Sequence, residues 1–590
     1  MLRVKLSRFR RALAAITLSQ VVATGCAAEP SAPPAPPPPV RVAGDQKLSA
    51  AAPIEISIIG TNDLHGRIGA LPVLGGYLNA LRAARPGRVL LVDAGDTFQG
   101  TLESNLLEGA PVVDAYRRLG YAAMAIGNHE FDYGPTGPDA VVTRRIRADG
   151  ESAPEGSDDP RGALKARAAQ AAGAFPMLSA NIVENGRPLR WPNVAPSVLV
   201  RLEAGVTIGV VGVTTIATPK TTISANFVRL AVTPIAEAVA QQARALRHKG
   251  ADIVVVLAHA GGDCARLDNP DDLSSCKPGE EIFEAARALP PGAVDAIVAG
   301  HTHQAVAHRV AGVPIIESYA NGKAFGRVDL TWDPAARRVT SARIFPPVEL
   351  VPGRVYEGAV VEPDAGVQAV IAPAIERAAA KRAKLFRAVV EAPIEEKYKE
   401  ESALGNLVAS LMLELDPEAQ IAINNAGNLR ADLPAGPLSY GSLYDSLPFD
   451  NRLARVMMSG RALADLFRRN LAGQRGILSV AGLRVEARCG PSGLTVNLVL
   501  EGKNGAQGRA IKDSDSLRVV TTDYLATGGG DFDVKSILLF EELDEAAPYR
   551  ERIAEHLRDR NVTLRPSDWL KPGSPRIVFS SGAPACPPGK

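Results

Sequence analysis

The sequence predicts an α/β protein in which a layered sheet domain is followed by a second, smaller α/β domain, and three observations carry that reading. The chain has 590 residues, more than one hydrophobic core usually supports. From Pro53 onward, short β-rich apolar runs alternate with amphipathic stretches, the pattern of strands covered by helices. A break with three prolines at Phe345–Gly353 and one long helical stretch from Ala365 to Arg387 then separate this region from a second α/β pattern. The expected boundaries are 53–350 for the first domain, 351–387 for the connector and 388–582 for the second domain.

The N-terminus precedes all of this and has a different character. Arg3, Lys5, Arg8, Arg10 and Arg11 are followed by an uncharged, largely apolar stretch from Ala12 to Gly25 and then Cys26. A basic region, a short apolar run and small residues before a cleavage point form a secretory signal. Val22-Ala23-Thr24-Gly25-Cys26 resembles a bacterial lipobox, which makes Cys26 a lipidation candidate. Ala23 stands where leucine is usual, so cleavage by ordinary signal peptidase is the alternative. Residues 1–26 are thus read as signal and 27–52 as a linker, stiffened by seven prolines between Pro30 and Pro39. The expected location is periplasmic or anchored at the outer membrane, with a lipid at Cys26 as the sole membrane contact. No later apolar run approaches the ~20 residues of a spanning helix. The charge, 66 basic against 64 acidic residues for a net +2, gives no support for binding a nucleic-acid polymer. Cys264, Cys276, Cys489 and Cys586 remain, an even number that reads as two disulfides in an exported chain. Cys264 and Cys276 bracket a polar loop and are natural partners, which would leave Cys489 for Cys586.

Six runs read as buried strands: Ile54–Ile59, Val89–Val92, Ala123–Ile126, Val206–Val213, Ile253–Ala258 and Ala296–Ala299. Gly150 to Gly162, polar and acidic, reads as a surface insertion. The chemistry sits where strands end. Asn62-Asp63-Leu64-His65 follows the first, Gly95-Asp96 the second, and Gly127-Asn128-His129-Glu130-Phe131-Asp132 the third. His259 follows the fifth, and Gly300-His301-Thr302-His303 the sixth. Carboxylates and imidazoles at adjacent strand exits converge on the crevice where open α/β sheets bind ligands. This oxygen and nitrogen donor mixture suits Zn²⁺, Mn²⁺ or similar ions. The chain has 8 histidines, and His65, His129, His259, His301 and His303 all fall in these motifs.

The set D-x-H, G-D, G-N-H-E, a lone His and G-H-x-H resembles the calcineurin-like metallophosphoesterases. Within them it is most similar to the exported 5′-nucleotidases, which include bacterial periplasmic nucleotidase/UDP-sugar hydrolases. The resemblance implies two divalent metal ions as cofactors. One would be held by Asp63, His65, Asp96 and His303, the other by Asp96, Asn128, His259 and His301, with Asp96 bridging. It places His129 as a catalytic group donating to a phosphate oxygen or the leaving group, with Asp132 orienting its ring. In the second domain, Asn424-Asn425-Ala426-Gly427-Asn428-Leu429-Arg430 resembles the family's N-G-G-G-x-R signature, so Asn425 and Arg430 are expected to contact substrate. Phe449 and Phe532 match the aromatic pair that sandwiches a nucleobase. Three departures stand out: Tyr398 where relatives carry arginine, Asp531 displaced by one position, and Leu538 where some relatives have aspartate. The expected partner is a small nucleotide. The expected activity is release of phosphate from nucleotides, extending to UDP-sugars or 2′,3′-cyclic nucleotides. The alternatives are the same metal centre acting on a non-nucleotide ester, as in a general phosphodiesterase or a thiosulfohydrolase-like relative, and a non-enzymatic surface binding protein.

Overall fold

The computed structural model describes residues 52–134, 163–222, 224–227, 229–473, 475–490, 493–502, 507–530, 532–543, 548–571 and 573–579. The signal, Cys26, the linker up to residue 51, the Gly150–Gly162 insertion, Asp531 and Cys586 lie outside them. Among the described residues no helix is long and apolar enough to cross a membrane.

All six predicted runs are strands, but they divide between two sheets. The first sheet takes β1 (Ile54–Thr61), β2 (Val89–Asp93) and β3 (Ala123–Ala125), paired parallel. Two short strands, β4 (Met177–Leu178) and β5 (Val194–Ala195), extend it at one side. The second sheet holds β6 (Ser197–Arg201), β7 (Thr207–Thr214), β8 (Ile253–His259), β9 (Ala296–Ala299), β10 (Ala305–Val310) and β11 (Val313–Ser318). The chain then returns to the first sheet through β12 (Ala324–Asp333), antiparallel to β1, and β13 (Arg338–Glu349). The orders are β13-β12-β1-β2-β3-β4-β5 and β10-β11-β9-β8-β7-β6.

Alternation of side chains across each strand explains the layering. Ile56, Ile58, Leu90 and Val92 of the first sheet pack against Val255, Leu257, Ala296 and Val298 of the second in one fully buried cluster. The next residues along, Ile59 and Leu91, point the other way, onto α1 (Leu71–Ala84) and α2 (Ala110–Leu119). Val254 and Val256 likewise face α3 (Ile235–His248). Strands buried on both faces read as near-continuous apolar runs, which is why they stand out in the sequence. The sheets come close enough at Gly60 that a Cβ there would lie 2.3 Å from Val298 Cγ1.

The long connector helix, α4 (Ala365–Arg382), is shorter than the sequence predicts: Leu385–Val390 is already a strand. Val367, Ile371 and Ala374 seat it in the same cluster as Val112 and Tyr116 of α2. At its end Arg382 reaches Glu103 of the first half and Asp445 of the second, at 2.5 and 2.8 Å. The second half is built on a five-stranded sheet with central strands Ile421–Asn424 and Ser516–Thr522. Cys264 and Cys276 form a disulfide. The expected Cys489–Cys586 pairing falls partly outside the described residues.

Candidate active site

The motif residues leave their strands through unusually tight turns. Asp63, His65, Asp96, His301 and His303 all have left-handed backbones, with φ of 49°, 48°, 58°, 82° and 60°. For residues other than glycine such conformations cost roughly 1–3 kcal/mol each, and they persist where surrounding structure over-determines them. Here the turns hold one another. Asp63 N–H donates to Gly95 O and His65 N–H to Asp96 O, both at 3.0 Å.

Buried carboxyl groups fasten these turns from behind, a role that the motifs do not reveal. Glu130 accepts from the backbone N–H groups of Gly127, Asp96 and Thr97 at 2.7, 2.9 and 2.7 Å. Asp93 accepts from Gly95 N–H and from the hydroxyls of Thr61 and Tyr116. Glu317 accepts from Gly262 N–H at 2.9 Å and from the Thr302 hydroxyl at 2.6 Å, tying the loop after β8 to the loop after β9. Burial pushes Asp93 up to about 7 and Glu317 well above the usual carboxyl range. The signal available in the sequence, for Asp93 and Glu317 though not for Glu130, was an acid closing an apolar run, as in Val89 to Asp93 and Val313 to Glu317.

Two groups of donors result, Asp63 with His65 and His303, and Asp96 with His259 and His301, the ligand atoms of each lying within 4.8 Å of one another. Asn128 joins the second group through Oδ1, 3.0 Å from His259 Nε2. All seven predicted metal ligands are thus brought together. Their chemistry fits metal binding. His65 Nδ1 faces the Gln99 carbonyl at 2.9 Å and His259 Nδ1 the Ala94 carbonyl at 2.9 Å. A carbonyl only accepts, so each Nδ1 carries the proton and each Nε2 lone pair points inward. His65 Nε2 meets His303 Nε2 at 2.9 Å, and the fully buried Asp63 Oδ1 has no hydrogen-bond partner. A cation between these atoms would satisfy them together. Without a metal a proton takes that place on Nε2: burial opposes charge on His259, yet Asp96 at 3.1 Å raises it to about 10, so a cation bound there would displace a proton. Burial, and after it His259, push His301 down to about 3. Burial would raise Asp96, but His259 and His129 hold it well below the carboxylate range.

His129 stands beside these groups. Its Nδ1 is 2.7 Å from Asp132 Oδ2, and Arg430 of the second half approaches its Nε2 at 3.4 Å. Burial disfavours the charged ring, but Asp132 and Asp96 outweigh it and raise its pKa. A cavity of about 710 Å³ opens here, with Asp96, Asn128 and His129 on its floor and Asn425, Arg430 and Phe449 across from them. Phe449 lies 5.5 Å from the His129 ring and 5.0 Å from the Arg430 guanidinium. Asn425 lines this cavity, and its Oδ1 is buried without a hydrogen-bond partner.

Phe532 corrects the expected pair. It is 5% exposed, packs in the core of the second half with Leu525 and Phe467, and does not line the cavity. The aromatic rings that do, besides Phe449, include Tyr398 and Tyr524. Tyr398, at the position where relatives carry arginine, is 46% exposed. Leu538 is also off the cavity.

A two-sheet sandwich with paired Asp/His donor groups at its strand exits defines a calcineurin-like phosphoesterase, and that family's model matches residues 56–305. Enzymes of this class use a dinuclear metal site. Residues 379–536 match the 5′-nucleotidase C-terminal domain. The chain therefore belongs to the 5′-nucleotidase family of metallophosphoesterases and is a metal-dependent phosphoester hydrolase. It is 25% identical over 520 residues to protein UshA of Yersinia enterocolitica, covering 80% of this chain and 86% of that one. It is 26% identical over 428 residues to endonuclease YhcR of Bacillus subtilis, covering 70% of this chain but only 31% of that longer protein. The crystal structure of a 5′-nucleotidase precursor from Thermus thermophilus shares the fold, with a TM-score of 0.69 at 23% identity, covering 89% of this chain and 99% of that one.

Proposed function

We propose that this chain releases phosphate from nucleotides outside the cytoplasm, using two divalent cations. Asp63, His65, Asp96 and His303 would hold one, and Asp96, Asn128, His259 and His301 the other. Such a pair activates a water for attack on phosphorus and neutralises charge on the phosphoryl oxygens. The protein's own side chains do the rest. Arg430 and His129 converge on one point of the cavity, where both would donate to substrate oxygens. Asp132 keeps the His129 ring oriented with Nε2 towards that point. Phe449 offers a planar face for the base, and Asn425, which lines the cavity beside it, a polar side chain for the sugar. The observation that carries the reading is the pair of buried donor groups, with inward lone pairs and an orphaned Asp63 oxygen, on the floor of a cavity roofed by Arg430 and Phe449. The basic and apolar N-terminus supports export, and the Cys264–Cys276 bond suits an oxidising compartment.

The test is phosphate release from AMP, UMP, ATP, UDP-glucose, 2′,3′-cyclic AMP and 4-nitrophenyl phosphate. Nucleotide hydrolysis that stops on chelation and returns with Mn²⁺ or Zn²⁺ is the expected result. Activity confined to the aryl ester would remove the nucleotide reading and leave the metals. No activity on any ester, with metals bound, would favour a binding protein.

A further inference from the structure

Three consecutive residues after β7 each make a contact to a different part of the site. Lys220 O accepts from the Tyr524 hydroxyl of the second half at 2.8 Å. Thr221 O accepts from Asn128 Nδ2 at 3.1 Å, which leaves Asn128 Oδ1 facing His259. The buried Thr222 donates its hydroxyl to Asp132 Oδ1 at 3.2 Å, while Asp132 Oδ2 holds His129 Nδ1. A few residues on, Asn226 donates to the carbonyls of Phe131 and Asp132 at 2.9 and 3.1 Å. The segment therefore grips the Asn128–Asp132 turn by side chain and backbone, and Tyr524 grips the segment.

From this geometry we infer that Thr222 is a positioning residue for the His129–Asp132 pair, and that Tyr524, through Lys220, makes this positioning depend on how the second domain is seated. The inference rests on the proposed function and takes, of the two roles open to His129 there, proton donation to the leaving group. Asp132 has two oxygens, and a carboxylate held by one partner alone swings about its Cβ–Cγ bond. With Thr222 on Oδ1, Oδ2 is left to His129, whose Nε2 then points into the cavity beside Arg430. Hydrolysis forms a bond from a water oxygen to phosphorus and cleaves the phosphorus–oxygen bond to the leaving group; the proton goes from His129 Nε2 to that leaving oxygen and is replaced by the one the water gives up. A ribose 5′ oxygen needs it; 4-nitrophenolate leaves without it.

The experiment compares AMP with 4-nitrophenyl phosphate on the metal-loaded enzyme. Thr222→Val keeps shape and removes the hydroxyl. It should lower kcat for AMP roughly tenfold, leave KM within about twofold, and leave the aryl ester within about twofold. Thr222→Ser should restore kcat. Tyr524→Phe should lower kcat for AMP less, and add little on top of Thr222→Val. Unchanged thermal midpoints keep folding out of the comparison. Equal losses on both esters, no loss, or failure of serine to rescue would overturn the positioning role. His129→Gln separates this from its premise. If that variant is selective for AMP while Thr222→Val is not, only the positioning role falls. If His129→Gln treats both esters alike, the proton-donor reading falls, and this inference with it.

Discussion

Asp96→Asn should lower nucleotide hydrolysis by at least on the order of a thousandfold while the protein stays folded. Asp96 is the one carboxylate facing both donor groups: its Oδ2 lies 3.1 Å from His259 Nε2 and 4.0 Å from His65 Nε2. Its other oxygen accepts from His129 N–H at 2.8 Å, so it also fixes the start of the turn that carries the proposed proton donor. Asparagine preserves that acceptor and the side-chain shape, but puts an uncharged NH2 group, with no lone pair for a cation, where Oδ2 faces both donor groups. Two cations a few ångströms apart repel, and the shared carboxylate is what offsets this. Without it, bound metal per chain should fall below that of the wild type, measured by elemental analysis after gel filtration. In the metal-free protein the same change leaves the buried His259 without its charge partner, so the unfolding midpoint should fall. Retention of more than about a tenth of the activity would mean that Asp96 does not join two cations, and the dinuclear reading would have to be given up.

The sequence displayed the strands and the donors because both are local. A strand buried on both faces is a run of apolar residues, and β1, β2, β7 and β8 each are. Histidines and aspartates at the ends of such runs stand out by position. Which strand lies beside which is not local, and so the single crevice of one sheet became the shared edge of two. Nor does sequence spacing reveal that Glu130, Asp93 and Glu317 commit their carboxyls to backbone N–H and hydroxyl groups rather than to a ligand. The bonds to Gly95, Thr97 and Gly262 are what show it. Thr222 carries no motif, and the family motif that begins at Tyr524 does not show what its hydroxyl touches; both contacts join residues far apart in the chain. The left-handed backbones at Asp63, His65 and Asp96 were also hidden, since aspartate and histidine enter that region more readily than most residues but far less often than glycine.

Phe449→Ala and Phe532→Ala should part company, though the family pattern treats them as a pair. The turn between Tyr524 and Phe532 contains Gly528 and Gly530 at φ of 99° and 62°, conformations that reverse the chain's facing. It leaves Tyr524 on the cavity and sends Phe532 inward against Leu525. Truncating a buried phenylalanine costs about 3–5 kcal/mol. Phe532→Ala should therefore lower the denaturant midpoint of the second domain clearly, with KM for AMP little changed in the fraction that remains folded. Phe449, partly exposed and in contact with His129 and Arg430, has the opposite balance. Its loss should cost under about 1 kcal/mol of stability. Losing one stacking face worth roughly 1–3 kcal/mol should raise KM for AMP by about 5- to 100-fold and spare 4-nitrophenyl phosphate. Denaturation curves and KM values for both variants decide the matter. If Phe532→Ala left stability within about 1 kcal/mol and raised KM for AMP as much as Phe449→Ala does, Phe532 would have to leave its core to meet the base, and the sandwich read from the sequence would stand after all.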